Sequence, residues 1–286
     1  MGTWDLRDVV DARRYPLDED GGDRYRAVVD RVRGELRDHG CSVVPDFVRP
    51  ELHATLRAEG AAVAPRAHYD AETVNVYNVD VGDDLPPDHP ARIPLQRENA
   101  FVARDLIPDD AIIHRLYRDA RFRRFLAACF GLPEIHELGD PLAGLCLNVV
   151  RPGMGHPWHF DTNEFAVSLL TQEPDGGGGF EYVPGIRSAS SENFGDVRAL
   201  LEGRAGDRVR SLRLRPGDLQ LFEGRYALHR VGTVTGDRQR HTAIFSYSER
   251  PGVVGSPART RQLFGRLLPE HAEAGRGAVR VDELLD

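Results

Sequence analysis

Helical periodicity appears first near the N-terminus, over residues 23–39. Apolar side chains from Tyr25 to Leu36 recur there at intervals of three or four positions, which predicts an amphipathic helix. Gly40 stands where such a helix would end. The apolar run Cys41-Ser-Val-Val that follows predicts a short strand.

Helical patterns return further along the first half of the chain. Pro50 favours the first turn of a second helix, and apolar positions at helical spacing predict more helix over residues 109–131. Residues 80–98 are rich in Asp and Pro and show no period, so they are predicted to form a loop, with a lid over a pocket as one interpretation. Residues 1–140 are therefore predicted to be a mostly helical scaffold.

The sequence pattern changes after residue 140, where short apolar runs are separated by Gly and Pro. Many short strands of this kind predict a β-sandwich or barrel core over residues 141–250. A helix at 192–201 interrupts the strands, and a helix at 259–268 opens a helical extension over 251–286. We expect one catalytic domain over residues 1–286. The strands are predicted at residues 145–150, 165–171, 180–183, 209–214, 219–222, 230–234 and 241–247.

Composition and charge narrow the function classes. The chain has 286 residues, a formal net charge of -8 and a pI near 5.8, and its basic residues are all Arg, scattered among Asp and Glu. This argues against nucleic acid as a partner, and the absence of Lys excludes Schiff-base chemistry on a lysine. Three widely spaced cysteines among apolar neighbours are expected to be buried free thiols: Cys41, Cys129 and Cys146.

No targeting segment is evident. The N-terminus lacks the apolar core of a signal peptide, and no run approaches the roughly 18 apolar residues of a membrane helix. We expect a cytoplasmic protein without a membrane partner that acts on a small molecule.

The chemically informative segment ends in His159-Phe160-Asp161. Residues two apart in a strand face the same side, so His159 and Asp161 can bind one ion while Phe160 points away. His229, in a later predicted strand, would supply a third ligand. Two imidazoles and one carboxylate on one face leave coordination positions open, which suits Fe(II) that must also bind an oxo acid and dioxygen.

Three further residues are candidate ligands for an oxo acid. Arg240 and Thr242 alternate to one face of the strand that follows His229. A guanidinium and a hydroxyl are the donors that the distal carboxylate of 2-oxoglutarate requires. Asn148, on an apolar strand, could bond the same co-substrate or satisfy a backbone group, whereas Arg238 lies nearer a turn and is expected to face solvent.

Residues 145–247 resemble the Fe(II)/2-oxoglutarate-dependent dioxygenase superfamily. The likeness rests on the His-x-Asp and distal His, on Arg240 beyond them, and on the segments Pro216-Gly-Asp-Leu and Gly179-Phe-Glu-Tyr-Val-Pro-Gly. It implies a mainly β fold with flanking helices around a double-stranded β-helix, or jelly roll. It also implies Fe(II) as cofactor, 2-oxoglutarate and dioxygen as co-substrates, and release of succinate and CO2.

Within the superfamily, the chain is similar to small bacterial enzymes that hydroxylate or halogenate free amino acids. The motifs are His156-Pro-Trp-His-Phe, Phe180-Glu-Tyr-Val-Pro-Gly and Ser246-Tyr-Ser-Glu-Arg-Pro-Gly. Halogenases of this kind replace the carboxylate ligand by a small residue to admit chloride. Asp161 occupies that position, so the resemblance implies hydroxylation.

Five residues beside the metal motif are candidate substrate contacts, although each could equally serve packing or a loop. Glu164 or Glu181 could meet an ammonium or guanidinium group of the substrate. The five candidates are His156, Trp158, Thr162, Asn163 and Glu164.

Several alternatives stay open at this point. The same iron chemistry can desaturate or cyclise a substrate, and the substrate could be carrier-bound instead of free. A radical halogenase is disfavoured by Asp161. A non-catalytic jelly-roll module that binds a metal or small ligand is the alternative outside enzymes.

Overall fold

Two large antiparallel sheets, two small two-stranded sheets and a layer of helices make up the computed structural model, which describes residues 4–82, 84–163, 165–273 and 284–285. This confirms the predicted mainly β architecture with flanking helices. The helices are α1 (Asp23–His39), α2 (His53–Val63), α3 (Ile112–Arg118), α4 (Ala120–Phe130), α5 (Phe194–Leu201), α6 (Pro257–Phe264) and α7 (Pro269–Glu273).

The strands include several at the predicted bounds, among them those at 145–150, 180–183 and 219–222. In chain order they are β1 (Cys41–Val44), β2 (His68–Val74), β3 (Leu95–Val102), β4 (His136–Glu137), β5 (Leu145–Val150), β6 (His156–His159), β7 (Ala166–Gln172), β8 (Gly176–Gly177), β9 (Phe180–Val183), β10 (Arg210–Leu212), β11 (Leu219–Phe222), β12 (Leu228–Val231), β13 (Val234–Thr235), β14 (Arg240–Phe245) and β15 (Tyr247–Ser248).

The major sheet has seven strands in the order β1-β11-β7-β14-β5-β3-β2, and the minor sheet has four in the order β10-β9-β12-β6. Helices α1, α2 and α4 cover the outer face of the major sheet, where Val44, Leu147 and Phe245 join the largest buried cluster. On the inner face Phe222 packs edge-on against Phe180 of the minor sheet. The space between the two sheets is therefore the place where inward side chains meet.

The N-terminal half is less helical than its sequence predicts. It adds β1 to one edge of the major sheet and the antiparallel pair β2 and β3 to the other, and the loop predicted to reach residue 98 ends where β3 begins at Leu95. The strand was missed because its buried inward position holds Arg97, whose charge is met by Asp70 and Glu72 on β2. Charged residues in place of apolar ones remove the alternation that predicts a strand.

The helical pattern over residues 109–131 is divided in two. Asp119 takes an extended backbone conformation between α3 and α4, and its carboxylate accepts hydrogen bonds from the backbone of Arg121 and Phe122. This N-cap starts a new helix within the apolar period. The predicted C-terminal extension is described as far as residue 273 and again at 284–285. Within the described residues, every helix is too short or too polar to span a membrane.

Candidate metal centre

His159, Asp161 and His229 converge at the mouth between the sheets. His159 on β6 lies directly opposite His229 on β12, and Asp161 follows β6, with its backbone N–H donating to the carbonyl of Gly224 at 3.1 Å. One oxygen of Asp161 lies 3.8 Å from His159 Nε2 and 3.5 Å from His229 Nε2. All three potential ligand atoms lie within 4.8 Å of one another, so small side-chain shifts would bring them to the roughly 2 Å metal–ligand distances of a divalent ion.

The backbone fixes which nitrogen each histidine presents. His159 Nδ1 lies 2.8 Å from the carbonyl of Pro157, and His229 Nδ1 lies 3.0 Å from the carbonyl of Ala227. Because a carbonyl only accepts, Nδ1 carries the proton in each neutral ring, and the lone pair of Nε2 faces the site. Orientation of a metal-binding histidine through its second nitrogen is the usual arrangement at protein metal sites.

Electrostatics favour the protonation states that a metal requires. Burial, together with His156 and His229, holds the pKa of His159 well below its usual value. Burial alone would raise the pKa of Asp161, but interactions with His229 and His159 lower it to about 2. The site therefore offers an unprotonated imidazole at His159 and an ionised carboxylate at neutral pH.

Gly224 leaves space for the carboxylate ligand. A Cβ atom added at this position would lie 1.9 Å from Asp161 Oδ2 and 2.7 Å from its Cγ. Any side chain here would therefore push the carboxylate away from the histidines.

A β-bulge changes which candidate substrate contacts face the candidate metal ligands. His159 pairs with His229, but the next pair joins His156 to Val231, so β6 has one more residue than β12 over this stretch. His156 therefore reaches the same side as His159, and their rings stack with centroids 3.8 Å apart. The spacing of three residues would not place them together in a regular strand.

Trp158 lies on the other side of the minor sheet. The guanidinium of Arg230 stacks over its indole at 4.7 Å, and Arg230 donates to Glu181 at 2.6 Å. Arg230 alternates with His229 along β12, so this group faces away from the metal ligands. A substrate contact at Trp158 stays a prediction, and Glu181 already has a cationic partner in Arg230.

The remaining candidates lie in the loop after β6. Thr162 is exposed, and its carbonyl accepts a hydrogen bond from Arg225 at 3.4 Å. Asn163 is partly buried. Glu164 lies outside the described residues.

The predicted oxo-acid ligands come together on the inner face of the major sheet. Arg240 and Thr242 are both 5% exposed, and Arg240 Nη1 donates to the Thr242 hydroxyl. Asn148 lies directly opposite Thr242 on β5, and its amide donates to the carbonyl of Ala100 at 3.4 Å. Among the described residues, no carboxylate pairs with Arg240, and burial lowers its pKa to about 10. A buried cation is normally paired with an anion in folded proteins.

Arg238 faces outward, as the sequence predicts. It is exposed on the turn before β14, where its guanidinium donates to Asp175 at 2.6 Å. The two arginines near the start of this strand are thus separated by one residue and point to different environments.

Sequence reasoning missed a second polar group on the inner face. Arg97 is 1% exposed, and its Nη2 donates to Asp70 at 2.7 Å and also to Glu72. Because Phe101 of β3 lies opposite Asn148, Arg97 shares the inner face with the oxo-acid ligands. The spacing of His68, Asp70 and Glu72 at every second position was the available signal.

Comparisons with known proteins identify a matching family and a shared fold. A sequence profile described as HalD, Halogenase D, matches residues 25–254. A 2OG-Fe(II) oxygenase family oxidoreductase from Burkholderia pseudomallei is 19% identical, with a TM-score of 0.50 and coverage of 79% of this chain and 92% of that one. A comparison with functionally curated proteins finds no significant match.

Two further solved structures share the fold. AviO1 from Streptomyces viridochromogenes Tue57 is 18% identical, with a TM-score of 0.51 and coverage of 77% of this chain and 94% of that one. The non-heme alpha ketoglutarate dependent epimerase SnoN from nogalamycin biosynthesis is 16% identical, with a TM-score of 0.53 and coverage of 78% and 84%. SnoN has also been solved in complex with Fe3+, alpha ketoglutarate and nogalamycin RO.

Iron and 2-oxoglutarate are therefore the cofactor and co-substrate that the fold implies, with dioxygen as the second co-substrate. The residues present fit them, since two imidazoles and a carboxylate suit Fe(II) and the buried Arg240 suits a carboxylate. The chain belongs to the Halogenase D family and has the fold of the Fe(II)- and 2-oxoglutarate-dependent oxygenases, which confirms the superfamily predicted from its sequence.

Proposed function

We propose that this protein hydroxylates an unactivated C–H bond of a free amino acid or small amino-acid-derived metabolite, and oxidises 2-oxoglutarate to succinate and CO2. The observation that carries the proposal is the carboxylate of Asp161 beside both histidines, 3.5 Å from His229 Nε2. Bound iron, with the oxo acid and dioxygen, supplies the oxidant that removes the substrate hydrogen.

The chain's own residues bind and orient the reactants. His159, His229 and Asp161 would hold Fe(II) through two neutral nitrogens and one anionic oxygen. Arg240 and Thr242 would bind the distal carboxylate of 2-oxoglutarate, with Asn148 beside them on the neighbouring strand. Their burial excludes water from the ion pair, which strengthens it relative to a surface pair.

The substrate class is supported by the polar group on β2 and β3. A free amino acid carries one ammonium and one carboxylate, and the inner face presents the carboxylates of Asp70 and Glu72 beside the guanidinium of Arg97. His156, stacked on His159, lies on the same side as the metal ligands. We infer that the substrate lies between these groups and the iron.

Halogenation is the second candidate, because the matching family is described as Halogenase D. A halide needs the coordination position that a carboxylate ligand fills, and Asp161 fills it in this chain. Desaturation and cyclisation use the same residues and differ only in how the substrate lies. A non-catalytic binding module would have no need for a buried cation at Arg240 in addition to three metal ligands.

Anaerobically purified protein loaded with Fe(II) and 2-oxoglutarate, then exposed to oxygen with each amino acid in turn, tests the proposal. We expect succinate formation that depends on iron and substrate, together with a product heavier by one oxygen atom. A chlorinated product would favour the halogenase, a product lighter by two hydrogens would indicate desaturation or cyclisation, and no succinate under any condition would favour the binding module.

A further inference from the structure

A fully buried arginine, Arg187, lies against the segment that carries the candidate metal ligands. Its guanidinium stacks on the ring of Phe160, with the central carbon 3.9 Å from the ring centroid. Phe160 stands in the chain between His159 and Asp161, and the side chain of Arg187 is 0% exposed. Because Phe160 and Asp161 are consecutive, a shift of this guanidinium would move the surface on which the metal-binding segment rests.

The same guanidinium holds the turn that faces the carboxylate of Asp161. Arg187 Nε donates to the carbonyl of Arg225 at 2.6 Å. The preceding residue, Gly224, accepts a hydrogen bond from the backbone N–H of Asp161 at 3.1 Å and leaves no room for a Cβ beside its carboxylate. Arg187 therefore contacts both segments between which Asp161 lies, one through the stacked ring of Phe160 and the other through the carbonyl of Arg225.

A segment distant in sequence completes the hydrogen bonding of Arg187. Its Nη1 donates to Glu192 Oε2 and to the carbonyl of Leu285, each at 3.1 Å. The backbone N–H of Leu285 donates to the other carboxylate oxygen of Glu192. The side chain of Leu285 packs against the buried cluster that contains Phe160. The backbone of Leu285 thus bonds to both members of a buried ion pair.

Burial makes this ion pair sensitive to the contact with Leu285. Burial lowers the pKa of Arg187, and the charge of Glu192 acts in the opposite direction. Loss of the contact would remove one acceptor from the guanidinium and one donor from the carboxylate, and such losses cost more in a buried site than at the surface. Rotation of the guanidinium toward another acceptor would restore a hydrogen bond only at the expense of its contacts with Phe160 and Arg225.

We propose that Arg187 is a positioning residue of the metal centre, and that docking of residues 284–285 on its guanidinium is coupled to binding of the metal ion at Asp161. Coupling between two sites is reciprocal. The docked segment therefore raises the affinity for the metal ion, and the bound ion stabilises the docked segment. Residues 284–285 lie beyond residues 25–254, which match the family profile, so the family match does not assign this role.

The first test compares Arg187→Lys with Arg230→Lys. A lysine keeps the charge that Glu192 requires, but it lacks the planar fork that stacks on a ring and donates in several directions. Arg230 is the matched control, because it also stacks on an aromatic residue beside a metal ligand, Trp158, and pairs with a glutamate, but on the other side of the minor sheet. Fe(II) affinity is measured by calorimetry without oxygen, and ligand geometry by the visible absorption of the Co(II)-loaded protein.

We expect Arg187→Lys to raise the Kd for Fe(II) roughly 10- to 100-fold, as for other groups that orient a metal ligand, and to change the Co(II) absorption. Arg230→Lys should keep the Kd within about twofold of the wild type. Wild-type affinity and absorption in Arg187→Lys, or equal changes in the two variants, would overturn the positioning role of Arg187.

The second test uses Leu285→Pro, which keeps the buried ion pair and decides the inference even if Arg187→Lys does not fold. Proline lacks the N–H that Leu285 donates to Glu192, whereas Leu285→Ala keeps the N–H and controls for lost packing. We expect Leu285→Pro to bind Fe(II) at least roughly fivefold more weakly than Leu285→Ala. In the wild type, hydrogen exchange at the amide of Leu285, followed by mass spectrometry of the peptide that contains it, should slow when Fe(II) binds.

Equal iron affinities for the two variants at 285, or the same exchange at Leu285 with and without Fe(II), would overturn the coupling. These measurements require no substrate, so they are independent of the proposed hydroxylation. A protein that shows the expected coupling but oxidises no amino acid would contradict the proposed function and leave this inference standing.

Discussion

The minor and major sheets differ in how their polar residues are held. On the minor sheet, His159 and His229 are oriented by carbonyl groups of their own strand segments, two residues before each ring. On the inner face of the major sheet, Arg240 and Arg97 are buried cations that depend on other strands or on ligands. Arg240 has a neutral hydroxyl partner, whereas Arg97 has two carboxylates.

This difference indicates a division of roles. The metal site is nearly preformed in the protein alone, because nearby backbone carbonyl groups already orient both histidine rings. The anion sites are less complete, since Nε and Nη1 of the buried Arg97 have no hydrogen-bond partner and burial lowers the pKa of Arg240 to about 10. Substitution of a metal-site residue on the minor sheet should therefore abolish the reaction. Substitution of a buried arginine on the major sheet should weaken the binding of only one reactant.

The largest effect is expected from removal of an iron ligand on the minor sheet. His159→Ala or His229→Ala should abolish succinate formation and weaken Fe(II) binding, because a two-ligand site cannot hold the ion in a fixed geometry. The metal-free variants should keep the thermal midpoint of the wild type within a few degrees. Wild-type turnover by either variant would show that these histidines are not ligands.

Asp161 tests the chemistry of the same site. Asp161→Gly should destroy most hydroxylation, because it removes the anionic ligand and opens its position, and halogenation would require favourable substrate positioning as well. The native enzyme should insert oxygen even in high chloride. Chlorinated product from the unaltered protein, detected by its isotope pattern, would contradict the assignment of Asp161 as an iron ligand.

Gly224 tests whether the minor-sheet site tolerates displacement of its carboxylate. In Gly224→Ala the new Cβ would lie 1.9 Å from Asp161 Oδ2, so the carboxylate must rotate away from the histidines. We expect Fe(II) affinity to fall roughly 10- to 100-fold, as for other changes that misalign a ligand. Gly232→Ala is the control, since its Cβ would meet its nearest neighbour at 3.7 Å. Equal iron titrations for the two variants would refute the steric explanation.

Arg240 tests whether the inner face of the major sheet binds 2-oxoglutarate. Arg240→Ala should raise the KM for 2-oxoglutarate roughly 10- to 100-fold, because a charge-assisted contact of about 1.5–3 kcal/mol is lost. Arg238→Ala should change it little, since that guanidinium faces solvent and pairs with Asp175. A larger effect at 238 than at 240 would mean that the inward face of β14 has been misassigned.

The smallest effects should distinguish the two faces of β6. His156→Gln removes a ring stacked on His159 and should raise the KM for substrate about tenfold. Trp158→Phe keeps an aromatic surface under Arg230 on the opposite face, so its kinetics should stay within about twofold of the wild type. Reversed effects would place the substrate on the other side of the minor sheet.

Much of the β core could be predicted because each strand is marked by its own short apolar run and by the Gly or Pro turns beside it. Strands β5, β9 and β11 alternate with Gly and Pro turns, and their bounds agree with the structure. The metal triad was equally accessible, since His159 and Asp161 follow the period of a strand and His229 lies in another. Position 161 alone separates the hydroxylase prediction from the halogenase alternative, because Asp161 supplies a carboxylate there.

Other features depended on interactions between distant segments. The bulge that brings His156 beside His159 exists because β6 pairs with β12, and the same register turns Trp158 away. Strand β3 escaped prediction because the charge of Arg97 is compensated by a neighbouring strand, which a linear pattern does not reveal.

The sequence by itself determined which groups are available for iron and 2-oxoglutarate, because ligand type and strand period are properties of short segments. Tertiary structure decided which charged groups share the inner face. Arg97 on β3 and Arg259 on α6 are far apart in sequence, and hydrogen bonds through Glu72 and Gln262 join them only when α6 packs across β2 and β3. Burial then makes these pairings matter, because the cost of burying Arg97 without Asp70 and Glu72 depends on the surroundings that the fold creates.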